Sequence, residues 1–172
     1  MRWPPRRVVT GHDGNGNSVV VSDGAPPLIQ DVARGGGVTA EMWATHSAPT
    51  PIPATEPEPN GTPIQIPPSA DGTVFRYFEI RPGWRSPMHR TQSVDYGLVL
   101  DGEVWMILDD GSETLLRAGD VAIQRGTDHV WENRSDTSAL MAFVLVDGAF
   151  TPELLESIGE KAAQLIVDLP EH

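Results

Sequence analysis

Cysteine is absent from the 172-residue chain. That excludes disulfide scaffolds, thiolate metal sites and cysteine nucleophiles, and leaves the redox compartment open. Basic residues are scarce: 12 Lys and Arg stand against 24 Asp and Glu, a net charge of -12. Nucleic-acid backbones and anionic membrane surfaces both need clustered positive charge, so neither is an expected partner. A small anionic substrate stays compatible, because one buried arginine can outweigh a distant acidic exterior. No run of about 18 apolar residues offers a membrane helix. The start, Met1-Arg2-Trp3-Pro4-Pro5, lacks the apolar core of a signal peptide. The expectation is a soluble cytoplasmic protein.

Turn-forming residues are plentiful, with 17 Gly and 16 Pro, and the 39% hydrophobic content suits a folded domain. With many short β-branched runs, this composition predicts strands joined by tight turns. Arg7–Thr10 and Val19–Ser22 flank Asp13-Gly14-Asn15-Gly16-Asn17, a strong hairpin signal. Gly35-Gly36-Gly37 leads into a strand over Val38–Thr45. Residues 47–69, rich in Pro, Ser and Thr with Glu56 and Glu58, read as an extended surface loop, or alternatively a lid. From residue 72, short strands alternate with turns: Val74–Ile80, Asp95–Leu100, Val104–Leu108, Thr114–Arg117, Val121–Gln124, His129–Glu132 and Ala139–Val146. Strands this short and evenly spaced indicate an all-β sandwich or barrel.

One helix is expected, at the C-terminus. Thr151-Pro152-Glu153 supplies a cap, a proline at the first helical position and an acidic first turn. Leu154, Leu155, Ile158, Ala162, Leu165 and Ile166 then form an apolar stripe expected to pack on the barrel. The organisation is thus N-terminal strands and a Pro-rich loop over 1–70, a barrel core over 71–148 and a helix over 149–172, all within one domain.

Of five histidines, His12, His46 and His172 fall beside turns, in the loop or at the chain end, and read as surface residues. His89 and His129 lie in patterned β segments. If 89–95 is extended, His89, Thr91, Ser93 and Asp95 share one face, with Arg90 and Val94 on the other. A polar row facing a barrel interior needs a ligand or mutual hydrogen bonds; facing solvent, it would be an ordinary half-exposed strand. Trp131 and Asn133 share a face with His129, so Trp131 either walls a cavity or fills a core. Arg76, Phe78 and Ile80 share another face. Turned inward, Arg76 is a candidate anchor for a substrate carboxylate; turned outward, it is an exposed arginine.

The chain resembles the cupins at this point. Their first motif runs G-x5-H-x-H-x3,4-E-x6-G, and Gly83, His89, Thr91, Asp95 and Gly102 stand at its positions. Their second motif ends P-x-G-x2-H-x3-N, matched by Gln124, Gly126, His129 and Asn133 with glutamine in place of proline. The resemblance covers about 72–148. It implies a double-stranded β-helix, a jelly-roll barrel, with the motif histidines converging on one metal inside. His89, His129 and Asp95 would then be the metal ligands, in the two-histidine, one-carboxylate pattern of non-haem iron centres. Thr91 replaces a usual ligand and would face water or substrate. Asp95, one methylene shorter than glutamate, would either ligate or orient a ligand.

The function expected is a metal-dependent enzyme acting on a small organic molecule, with iron, manganese, nickel or zinc as the divalent ion. Oxygenase, decarboxylase, lyase and isomerase chemistry all fit. Asp95, His129 and Thr91 are the expected catalytic residues, and Thr91, Trp131 and Arg76 the expected substrate pocket. The alternatives are a metal-free cupin using His and Asp for acid–base chemistry, and a non-catalytic binding barrel. The resemblance also implies a homodimer that exchanges N-terminal strands.

Overall fold

A computed structural model describes residues 3–32, 35–55 and 64–160. Its strands are β1 (Arg7–His12), β2 (Ser18–Gly24), β3 (Ile29–Val32), β4 (Gly37–Thr45), β5 (Thr73–Ile80), β6 (Ser93–Asp101), β7 (Glu103–Leu108), β8 (Glu113–Arg117), β9 (Val121–Arg125), β10 (His129–Glu132) and β11 (Ala139–Asp147). One helix, α1 (Pro152–Ile158), follows. The expected strands are present within a residue or two of their predicted ends. β3 was not anticipated, because four residues with Gln30 and Asp31 at their centre carry no apolar alternation.

The strands form a six-stranded sheet ordered β3-β4-β5-β11-β6-β9, a three-stranded sheet ordered β10-β7-β8, and the separate β1-β2 hairpin. The fold is the all-β double-stranded β-helix expected. β11 lies between β5 and β6, and its run Ala139-Leu140-Met141-Ala142-Phe143 is buried throughout, as a central strand covered on both faces requires. In β6, Ser93, Asp95, Gly97 and Val99 are buried while Val94 and Tyr96 are exposed, the alternation of a strand with one covered face. Side chains from both larger sheets, among them Val99, Val104, Trp131, Met141 and Phe143, make one apolar cluster between them.

Gly97 sits in mid-strand rather than in a turn. A Cβ there would come within 3.0 Å of the Phe143 ring, so its smallness lets that ring lie flat against β6. The helix departs from expectation. Thr151 caps it by accepting from Leu154 N, but none of its residues is buried, and Leu155 is 44% exposed. Phe150 lies beside Gly126. Ala162, Leu165, Ile166 and His172 lie outside the described residues, as do Glu56 and Glu58. Among the described residues, no helix is long and apolar enough to cross a membrane.

Gly37 opens β4 at φ 150°, and an added Cβ would fall 1.7 Å from the Glu79 carbonyl oxygen of the adjacent strand. Backbone rather than a mobile side chain blocks that space. Gly37→Ala should therefore destabilise the fold by about 2 kcal/mol or more, lowering Tm by roughly 4–8 °C. Calorimetry checks this.

Candidate active site

The segment from Gly83 to His89 runs antiparallel along β10. Gly83 N donates to Asn133 O (2.8 Å), Asn133 N to Trp84 O (3.0 Å) and Ser86 N to Trp131 O (2.9 Å). It ends in a reciprocal pair, His89 N to His129 O (3.0 Å) and His129 N to His89 O (2.9 Å). Two histidines distant in sequence thus become direct cross-strand partners, with ring centroids 4.2 Å apart. Their ring orientations are fixed in the same way. His89 Nδ1 lies 3.0 Å from Pro87 O, and His129 Nδ1 lies 2.9 Å from Thr127 O. A carbonyl only accepts, so each Nδ1 carries the proton and each Nε2 keeps its lone pair.

Burial pushes both imidazoles below the ordinary 6.5. For His129, burial and the adjacent His89 together bring it to about 4. Both rings are therefore neutral at pH 7 and able to accept a proton or a ligand.

Asp95 joins them on the cavity wall from β6. Ser93 Oγ donates to its Oδ1 at 2.6 Å and Thr91 Oγ1 to its Oδ2 at 3.2 Å. Burial raises its carboxyl above the normal 3.8, against the opposing effects of those hydroxyl bonds, His89 and Arg76. The polar row His89, Thr91, Ser93, Asp95 does turn inward, and mutual hydrogen bonds satisfy much of it.

The residues present do not assemble the three-ligand centre expected from the motifs. Among the described residues, no group of three or more His, Asp or Glu side chains is placed to hold a metal ion. The two imidazoles offer open Nε2 atoms, and each oxygen of Asp95 accepts one hydroxyl bond.

The cavity holding these groups measures about 150 Å³, roughly ten times the space one water needs. Phe78, Trp84, Trp131, Phe143 and Leu145 supply an apolar wall, and Trp131 does line it as well as joining the core. Ile64 and Ile66 add to it from the Pro-rich segment. That segment is therefore more than a surface loop: Ile64 and Ile66 at its described end line the cavity.

Arg76 is turned inward, only 9% exposed and on the cavity wall. Its guanidinium is already engaged, since Nη2 donates to Gln65 O at 2.7 Å and Nε lies 3.4 Å from Glu41 Oε2. As an anchor for a substrate carboxylate it is thus substantially neutralised. Glu41, whose carboxyl burial pushes up, went unremarked in the sequence; an acid amid the apolar run of β4 was the available signal. Asn133 has a structural role, its Nδ2 donating to Ile80 O (2.9 Å) and Thr137 O (2.8 Å). Arg90, expected on the face opposite the polar row, is buried against Asp128.

The family and relative comparisons identify the architecture as that of cupins. A cupin-domain family model matches residues 76–146. The phomopsin biosynthesis cluster protein C' of Diaporthe leptostromiformis is 38% identical over 148 residues, covering 83% of this chain and 78% of that protein. The cupin-domain-containing oxidoreductase fogC of Aspergillus ruber is 34% identical over 151 residues, covering 82% and 71%. Among solved structures, a double-stranded β-helix protein from Klebsiella pneumoniae matches with a TM-score of 0.48 at 19% identity, covering 67% of this chain and 81% of that one.

The unfolded chain takes up a proton at His129 near pH 6.5, the folded chain only near 4. Protons therefore favour the unfolded state across that window, and stability falls as the pH drops through it, by on the order of 3 kcal/mol from this residue. Asp95, whose carboxyl is raised, acts in the opposite sense, so a variant isolates the histidine. Denaturant unfolding of His129→Gln between pH 6.5 and 4 should show a flatter decline than wild type; parallel curves would contradict the assignment.

Proposed function

The chain belongs to the cupin family, and on that premise we propose that it is an enzyme that binds a small, largely apolar organic molecule in the barrel cavity and moves a proton on it. The observation that carries this reading is the meeting of two neutral imidazoles and one raised carboxyl on the wall of an otherwise apolar cavity. Groups with environments tuned by burial in one pocket are the usual mark of acid–base chemistry.

Neutral His129 Nε2, the more deeply buried of the pair, accepts a proton from an acidic C–H or O–H of the bound molecule. Asp95, held by Ser93 and Thr91, exchanges a proton at another atom of the substrate, and His89 shares the charge that develops on its neighbour. The aromatic wall excludes water and raises the strength of each polar contact. Isomerisation, dehydration and cyclisation all reduce to this step. The oxidoreductase name of the Aspergillus ruber relative and the biosynthesis-cluster name of the Diaporthe relative support an enzyme over a passive binding barrel.

Deuterium wash-in provides the test. A panel of small apolar ketones and aldehydes in D2O, followed by proton NMR, should show protein-catalysed exchange next to the carbonyl for at least one member. His129→Gln or Asp95→Asn should slow that exchange by about 100-fold or more, and prior chelation should leave it unchanged. Loss on chelation with recovery on adding iron, manganese, nickel or zinc would restore the metal-dependent reading. No exchange across the panel would favour a binding barrel.

The homodimer belongs to the same proposal. β1 and β2 leave Val8, Val20 and Val21 exposed, with Val20 at 58%, and a lone two-stranded hairpin is only marginally stable. Light scattering at micromolar concentration should give twice the chain mass, and Val8→Ser with Val20→Ser should shift it toward monomer.

A further inference from the structure

Arg90 is 3% exposed and Asp128 is half-buried, and together they form a two-pronged ion pair. Nε donates to Oδ1 at 3.1 Å and Nη2 to Oδ2. Each partner is the immediate chain neighbour of an active-site histidine, Arg90 following His89 and Asp128 preceding His129. The pair thus runs beside the reciprocal backbone bonds that join those histidines and ties together the same two segments.

Stability alone is a poor reason for such a pair. Desolvating two charges offsets most of their attraction, and apolar residues of equal size commonly do as well. Here the balance is worse, because Arg90 Nη1 is buried with no hydrogen-bond partner. What the pair supplies is geometry. The planar guanidinium engages both carboxylate oxygens and fixes direction as well as distance, which a lysine or an apolar contact cannot. The His89 and His129 rings are set by bonds to carbonyls two residues earlier, at Pro87 and Thr127. Each ring therefore depends on the path of a short non-strand segment, and the ion pair holds those segments at their junction.

We propose that Arg90 and Asp128 are positioning residues: their fork holds the 87–91 and 127–129 segments so that both imidazoles keep the proton on Nδ1 and present Nε2 to the cavity. This deepens the proton-transfer reading of the site, since it says what keeps the two bases aimed. It stands on geometry and would hold for any ligand of those nitrogens.

Long-range proton–nitrogen NMR of nitrogen-15-labelled histidine reads the tautomer directly, without a substrate. Wild type should show His89 and His129 as single Nδ1-protonated species at pH 7.5. Arg90→Met should give averaged ring-nitrogen shifts for both, while the signals of β5, β6 and β11 stay in place. Arg90→Lys, which keeps the charge but loses the fork, should resemble Arg90→Met. If Arg90→Met fails to fold, Arg90→Lys and Asp128→Asn carry the test with less disturbance. A variant that merely melts at lower temperature while both rings keep the wild-type tautomer would overturn the proposal. Failure of deuterium exchange in the wild type, with the tautomers as described, would sink the proton-transfer reading and leave this one standing.

Discussion

Everything in the site follows from the laying of Gly83–His89 along β10. That short stretch is not part of either large sheet, yet its backbone bonds to Asn133, Trp131 and His129 seat it as an extra strand on the three-stranded layer. The chain then continues into β6, which belongs to the six-stranded layer. One continuous segment thereby spans the two sheets at the cavity. It brings His89 opposite His129, seats Ser86 against Trp131 N at 2.9 Å, and delivers Asp95 to the same wall six residues later, three steps of the alternation on.

The chemistry then follows from burial. Two imidazoles and a carboxyl in an apolar enclosure cannot all be charged at modest cost, and the structure resolves this by keeping the histidines neutral and raising the carboxyl. Arg76 brings a positive charge to the same enclosure but comes with its own counter-charge, Glu41, and a carbonyl cap from Gln65. The cavity is therefore apolar in area, nearly balanced in charge and equipped with unprotonated nitrogen atoms. Those are conditions for moving a proton on a weakly polar molecule, and poor ones for holding a strongly anionic one.

Strand periodicity and glycine punctuation made the barrel legible in the sequence, and the parity of His89, Thr91, Ser93 and Asp95 made the polar face legible too. Parity was silent on the burial of Arg90 because it assigns a side of the chain without saying whether that side is covered; a segment carrying Asp128 covers it. For the same reason Arg76 was ambiguous, since only tertiary contacts with Glu41 and Gln65 decide whether its face is enclosed. The three-ligand expectation came from motif spacing, which left open whether Asp95 ligates or orients. Asp95 has a shorter arm and two hydroxyl neighbours on its own chain, so each of its oxygens accepts one bond locally.

The central claim is that His89 and His129 are neutral bases with Nε2 free toward the cavity. Histidine ring titration followed by NMR tests it most directly. Midpoints below the ordinary 6.5, with His129 near 4, would agree with the account. A midpoint above 7 for His129 would contradict it, because a ring charged at neutral pH could not serve as the base.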